Sequence, residues 1–185
     1  MIIVGLGNPG VEYENTLHNM GYKVIDAIAN KLGKKVNKLE CSSLTSIVKN
    51  NPKIVLAKPL TYMNNSGEAV KSLLSKYKQE VSDLLVIYDD IDIDRFSVRV
   101  RKSGSAGTHN GMRSIIGHIG TGEFTRVRMG VGKGGYDLKD YVLSNIPKED
   151  EKHFSESIEK IADLIIEYMG TGDVDRLLRE GNVIK

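Results

Sequence analysis

The stretch Ile2-Ile3-Val4-Gly5-Leu6-Gly7-Asn8-Pro9-Gly10 opens as an unbroken apolar run and then dissolves into glycines and a proline. An apolar run closed by turn-formers predicts a short strand buried on both faces, inside a sheet rather than at its edge. Gly5-x-Gly7-x-x-Gly10 after a strand is also the spacing of a dinucleotide-binding turn. That turn needs a helix opening at the last glycines, with its N-terminus facing the pyrophosphate, and an acidic residue about 20 positions later on the second strand. Here Pro9 occupies the turn, residues 11–16 begin no amphipathic helix, and Asp26 falls too early and inside a helical stretch. The glycines are therefore read as a strand-to-turn device, and no dinucleotide cofactor is expected.

Working outward, Val24, Ile25, Ile28 and Leu32 recur at helical spacing, and Gly33 supplies a stop. Residues 44–49 and 53–58 are β-rich and separated by Asn50-Asn51-Pro52, the pattern of a hairpin. Ser66 is placed to cap a helix through about Tyr77, with Val70, Leu73 and Leu74 facing inward. Residues 84–88 form another short apolar strand, ending in Asp89-Asp90. Residues 97–101 and 125–131 alternate strictly, so Arg99 shares a face with Arg101, and Arg126 with Arg128. Between them a Gly/Ser loop at 103–108 leads into a helix near 112–119. Residues 150–169 carry Ile158, Ile161, Leu164 and Ile165 on one stripe, and 173–178 start a short last helix. Repeats, low-complexity tracts and linkers are absent from the sequence. These elements predict one α/β domain over residues 1–185, a mixed, mostly parallel twisted sheet with helices on both faces.

A chain of 185 residues with 40% hydrophobic and 27% charged residues has the composition of a globular protein, and no apolar run approaches the ~20 residues of a membrane helix. Residues 1–5 carry no basic leader, so no secretory signal is expected. Cys41 stands alone, which excludes an intrachain disulfide framework and a thiolate metal cluster and makes a reducing, cytoplasmic setting the expectation. The net charge of +2 is unevenly spread. Residues 1–94 are neutral overall, residues 134–185 are acidic, and residues 95–133 hold eight basic side chains against Glu123 alone. So compact a basic block predicts a surface for a polyanion.

The four histidines are His18, His109, His118 and His153, of which His18 lies nearest the end of the first strand. In open α/β sheets the carboxyl ends of the strands line one crevice. Asn8, Tyr62-Met63-Asn64, Asp89 and Asn110 all follow predicted strands or open a helix, and can converge there with His18. A neutral imidazole takes a proton from water, while a carboxylate on its other nitrogen fixes the tautomer and stabilises the imidazolium. Asparagine amides hold a water or polarise a carbonyl oxygen without adding charge. No serine sits in a nucleophile elbow, so attack by activated water is expected rather than a covalent intermediate. His109 and His118 lie nine apart with no metal-binding spacing, so no metal is expected.

The segments Val4-Gly5-Leu6-Gly7-Asn8-Pro9-Gly10-x-Glu12-Tyr13-x-x-Thr16-x-His18-Asn19-x-Gly21, Lys58-Pro59-x-Thr61-Tyr62-Met63-Asn64-x-Ser66-Gly67, Asp89-Asp90-x-Asp92 and Gly104-Ser105-Ala106-Gly107-x-His109-Asn110-Gly111 resemble the bacterial peptidyl-tRNA hydrolases. The resemblance runs in order from Ile2 to about Asn145. It implies an esterase that cleaves the peptide from the terminal ribose of tRNA, works in the cytoplasm as a monomer, and needs no metal, cofactor or obligate protein partner. It further implies that His18 is the general base, that Asp89 holds it in its basic form, and that Asn8 separates blocked from free amino groups. Tyr13, Tyr62, Asn64 and Asn110 would contact the acceptor end and the peptide, with Asn64 and Asn110 near the scissile carbonyl and the water. Arg99, Arg101 and Lys133 sit where the family places basic residues on tRNA phosphate.

Three positions depart from the family pattern. Tyr62 stands where many members have Phe. Thr108 replaces a Gly before the His-Asn pair, which predicts a loop less free to take positive φ. Lys133-Gly134 replaces a common Arg-Pro, exchanging a bidentate phosphate donor for a point charge. The sequence also admits two rival readings. One is an RNA-binding module without hydrolysis, which would need the basic block but not the base–carboxylate pair. The other is a nucleotide-dependent oxidoreductase resting on the three glycines.

Overall fold

The computed structural model describes residues 1–135 and 137–185. Among them, β1 (Ile2–Gly5), β2 (Lys38–Glu40), β3 (Ser43–Asn50), β4 (Lys53–Pro59), β5 (Leu84–Asp90), β6 (Val98–Arg101) and β7 (Thr125–Gly130) form one sheet in the order β2-β3-β4-β1-β5-β7-β6. The ladders β4–β1, β1–β5 and β5–β7 are parallel, while β2–β3, β3–β4 and β6–β7 are antiparallel. All strands except β3 and β6 therefore run the same way, and the sheet is mixed and mostly parallel. The opening apolar run lies at its centre, paired on both sides through Ile2, Ile3 and Val4.

Strand alternation sorts the core into two layers. Ile3 of β1 and Leu85 and Ile87 of β5 face one cluster with Val24, Ile25 and Ile28 of α1 (Met20–Lys31) and with Phe154, Ile161 and Ile165 of α5 (Lys148–Thr171). Ile2 and Val4 with Leu84, Val86 and Tyr88 face the other cluster, with Val70 and Leu73 of α2 (Ser66–Tyr77) and Met112 and Ile115 of α3 (Asn110–Ile119). Each such side chain, fully withdrawn from water, stabilises the fold by roughly 1.5–3 kcal/mol. The remaining helices are the short α4 (Leu138–Val142) and the terminal α6 (Val174–Gly181). After α6 the chain covers the outer edge of β6. Val98 N–H donates to the Ile184 carbonyl, and the Asn182 side chain bonds both the amide and the carbonyl of Val100.

Two local expectations change. Ser66 is the first residue of α2 rather than its cap, and its hydroxyl donates back to the Met63 carbonyl at 2.9 Å. In the Gly/Ser loop the positive φ angles fall on Gly104 and Gly107, so Thr108 meets no such demand. No helix among the described residues is long and apolar enough to cross a membrane.

Candidate active site

The carboxyl ends of β1, β4 and β5 open onto a cavity of about 650 Å³, lined by Asn8, His18, Tyr62, Asn64, Asp89 and Asn110 among others. Each arrives by a different local device. Asn8 lies three residues past the end of β1, and His18 sits in a 3-10 turn (Leu17–Asn19) that leads into α1. Asn64 lies in a 3-10 turn (Met63–Asn65) before α2, and Asn110 is the first residue of α3. Asp89 occupies the penultimate position of β5. It has the parity of Leu85 and Ile87, which directs it to the α1 side of the sheet, where His18 enters.

Asp89 is buried, and its Oδ1 accepts from two imidazoles, His18 Nδ1 at 2.8 Å and His109 Nε2 at 3.1 Å. Burial opposes ionisation of this carboxyl, but the two histidines outweigh it and hold its pKa well below the usual carboxylate range. Burial likewise disfavours the charged form of His18, and the Asp89 carboxylate overrides that, so the His18 pKa is raised. With Nδ1 engaged, Nε2 is the nitrogen His18 has available for substrate. His18 Nδ1, a carboxylate oxygen of Asp89 and His109 Nε2 lie within 4.8 Å of one another, the span of a small metal site. However, His109 Nδ1 accepts the Met112 N–H at 3.2 Å. Its ring hydrogen is therefore on Nε2, which is a donor to Asp89 and has no lone pair to offer a cation.

Asn8 is held just as firmly. Its backbone N–H donates to Asn19 Oδ1 at 2.8 Å, and Asn19 Nδ2 returns a bond to the Asn8 carbonyl at 3.0 Å. Its Oδ1 accepts the Met63 N–H at 2.8 Å, so Nδ2 is the arm left for the cavity. Tyr62 precedes Met63 with φ 57°, a left-handed backbone that an aromatic residue rarely takes. Such strain persists where its surroundings over-determine it, and here it delivers Met63 N–H to Asn8. Tyr62 is 54% exposed beside the cavity, and its ring meets Tyr13 edge-to-face, with centroids 6.4 Å apart.

The basic block is less uniform than its sequence. Arg101 lines the cavity. Arg99 does not: its guanidinium turns to the Val98 and Asn182 carbonyls at the C-terminal tail. Arg126 lies 2% exposed over the Phe124 ring and donates to the Ser105 and Gly122 carbonyls, which corrects its expected place on an open basic strand. Arg128 is tied to Asp90 at 2.8 Å and lines the cavity, a placement that sequence reasoning did not single out. Lys133 is exposed and lies 3.3 Å from Asp92. A Cβ on Gly134 would stand 1.9 Å from the Tyr141 ring, so the departure from Arg-Pro goes with an aromatic side chain pressed onto this backbone. His109, Asn19 and the Met63 amide were also missed as parts of the site. The adjoining His-Asn pairs, His18-Asn19 and His109-Asn110, were the signal that held two of them.

The family model described as peptidyl-tRNA hydrolase matches residues 2–184. A peptidyl-tRNA hydrolase of Alkaliphilus metalliredigens is 45% identical over 183 residues, covering 98% of each chain. One from Thermoanaerobacter sp. (strain X514) is 46% identical over 172 residues, 92% of this chain and 94% of that one. Among solved structures, the peptidyl-tRNA hydrolase of Acinetobacter baumannii superposes with a TM-score of 0.93 at 29% identity, covering 100% of this chain and 95% of that one.

Proposed function

This chain belongs to the peptidyl-tRNA hydrolase family, and from that premise we propose how its cavity carries out the reaction. The activity is hydrolysis of the ester that joins a peptide to the terminal ribose of tRNA, freeing tRNA and peptide. Water gives a proton to His18 Nε2 as its oxygen bonds to the ester carbonyl carbon. The carbonyl π pair moves onto oxygen, and the amide N–H groups of Asn64 and Asn110 hold the oxyanion. Collapse expels the ribose oxygen, which takes the proton back from His18. The products are a tRNA with a free hydroxyl and a peptide acid that ionises at neutral pH.

One observation carries this reading: the 2.8 Å contact between His18 Nδ1 and the buried Asp89, at the carboxyl ends of parallel strands and open to a cavity. Because Asp89 raises the His18 pKa above the ordinary value of about 6.5, imidazolium persists to higher pH. The base is lost as pH falls through that raised value, so the acid limb of kcat/KM has its midpoint above 6.5. Hydrolysis proceeds without metal, a reading supported by the hydrogen on His109 Nε2 that closes the three-residue cluster to a cation. Arg101 and Arg128 at the cavity, with the exposed Lys133, take phosphate of the acceptor arm, contacts that carry little sequence information and suit many tRNAs. Tyr13 and Tyr62 give its unpaired end an aromatic face. The enzyme acts as a cytoplasmic monomer, and every residue invoked comes from one chain.

The test is release of the acyl group from an N-acetyl-aminoacyl-tRNA and from its unblocked counterpart, with chelator present. Rapid release from the blocked substrate alone is expected. Loss of release on chelation would remove the metal-free mechanism. Release from neither, with tRNA still bound, would leave an RNA-binding module.

The orientation of Asn8 gives discrimination an atomic basis. With Oδ1 spent on Met63, the side chain offers the cavity only N–H. A blocked amino terminus brings an acyl carbonyl that accepts this bond, whereas a free ammonium has donors alone. Asn8→Asp keeps an acceptor for Met63 and turns the free arm into a carboxylate that attracts the ammonium. The ratio of kcat/KM for blocked over free substrate is expected to fall by roughly tenfold or more, in line with loss of a buried polar match. An unchanged ratio would reject this role for Asn8.

A further inference from the structure

We propose that His109 is a positioning residue for the hydrolysis: held in one tautomer by the Met112 amide, it donates Nε2–H to the Asp89 oxygen that also holds His18, and so sets the strength of the base. The inference rests on His18 being that base. It starts from an oddity at the start of α3. The helix is capped by His109, whose Nδ1 accepts from Met112 N–H at 3.2 Å, although Asn, Asp and Ser make better caps. An asparagine would satisfy that amide equally well. What it would lack is a second nitrogen on the far side of a ring, and in His109 that nitrogen lies 3.1 Å from Asp89 Oδ1. Tyr88 packs against the same ring, with centroids 4.9 Å apart, and fixes its plane.

The consequence follows from sharing one oxygen. Asp89 Oδ1 lies 2.8 Å from His18 Nδ1 and Oδ2 lies 3.0 Å from it, so the carboxylate already leans on His18 with both atoms. A second donor on Oδ1 draws off part of the negative charge and weakens the pull on the His18 imidazolium. The donor also fixes the carboxylate plane and hence the direction in which His18 Nε2 points. Without it, Asp89 holds the imidazolium more tightly, and the base stays protonated to higher pH.

Other charges face this cluster. Tyr88 and Asp90 flank Asp89 on β5, Arg126 and Arg128 approach from β7, Arg101 from β6 and Lys139 from α4. Arg128 is paired with Asp90, and Arg126 is bonded to the Ser105 and Gly122 carbonyls. These partners are common to all variants below, so differences among the variants report on residue 109.

Two substitutions split the ring into its halves. His109→Asn retains an acceptor for Met112 and loses the donor to Asp89. His109→Gln places an amide nitrogen near the former Nε2 and gives up the cap. With N-acetyl-aminoacyl-tRNA as substrate, His109→Asn is expected to move the acid limb of kcat/KM up by roughly half a pH unit or more, with a melting temperature near that of the parent. His109→Gln is expected to keep the parent acid limb and melt a few degrees lower. An acid limb in His109→Asn that superimposes on the parent, or the same displacement in both variants, would overturn the proposal. Long-range proton–nitrogen spectra of the parent supply a second check: the Nε2–H tautomer of His109 is expected, and Nδ1–H would refute it. His18→Asn separates the two layers of argument. If that variant stays active, the base assignment itself fails, whereas an inactive His18→Asn beside an unshifted His109→Asn removes only the role of His109.

Discussion

Replacing Asp89 by Asn lowers kcat by about 10³-fold or more, the scale expected when a catalytic imidazole is left in the wrong tautomer, while KM stays within a few-fold of the parent. The reason lies in how the two imidazoles share one carboxylate. His109 is committed as a donor by the Met112 amide on its other nitrogen. The substituted carboxamide therefore turns its single oxygen toward His109 and presents its NH2 to His18 Nδ1. That nitrogen must then accept, the His18 hydrogen moves to Nε2, and the lone pair that should receive a proton from water is gone. The raised pKa of His18 disappears with the carboxylate. Substrate contacts through Asn8, Tyr62 and Arg101 are untouched, which is why the loss falls on kcat. Single-turnover release from an N-acetyl-aminoacyl-tRNA, with circular dichroism to verify folding, measures it. A folded Asp89→Asn enzyme within tenfold of the parent would contradict the assignment.

Much of this site is legible before any coordinates, and the legible part has a common cause. Strand alternation and strand-end position depend only on sequence period, so Asp89 after 84–88 and Asn8 after the opening run fall at the crevice by counting. The same counting puts Arg126 and Arg128 on one face, and there it runs out. Period tells which side of a sheet a residue takes, not what covers that side. Both side chains reach the cavity wall, but Arg126 ends buried beneath the 103–108 loop with its guanidinium bonded to the Ser105 and Gly122 carbonyls, while Arg128 two residues on is half-buried and paired with Asp90. Arg99 and Arg101 part in the same way, because the Asn182 carbonyl of a segment remote in sequence captures Arg99. The work of His109 is of a third kind. Which ring nitrogen donates is set by an amide three residues later and a carboxylate on another strand, and no linear pattern encodes both. Ser66 illustrates the limit of cap rules, since its hydroxyl found the Met63 carbonyl in place of a helix N–H.

The opening glycines are the remaining piece, and they carry the second large effect. They follow a strand as a dinucleotide turn would, yet Gly10 leads only into a single 3-10 turn (Val11–Tyr13), and helix α1 begins ten residues later at Met20. Their partner is Gly21, in the first turn of α1. A Cβ on Gly21 would lie 2.3 Å from the Leu6 nitrogen, 2.6 Å from the Leu6 oxygen and 2.3 Å from the Ile87 oxygen. A Cβ on Gly5 would lie 2.1 Å from the Gly21 oxygen. The glycines thus let α1 rest directly on the backbone of β1 and β5, an approach that Tyr22 N–H fastens by donating to the Leu6 carbonyl at 3.2 Å. That contact sets the height of the turn carrying His18, three residues before Gly21, above Asp89. The obstructing atoms are main chain and cannot swing aside, so Gly21→Ala must lift the helix. Overpacking of this kind costs about 3 kcal/mol or more against backbone, which for a domain of this size lowers the melting temperature by roughly 6–12 °C. The displaced helix also opens the 2.8 Å His18–Asp89 contact, so hydrolysis falls even well below the melting transition. Thermal denaturation together with kcat at low temperature reads both effects. A Gly21→Ala protein that melts with the parent and turns over at its rate would show that the helix does not depend on this close approach to hold its base.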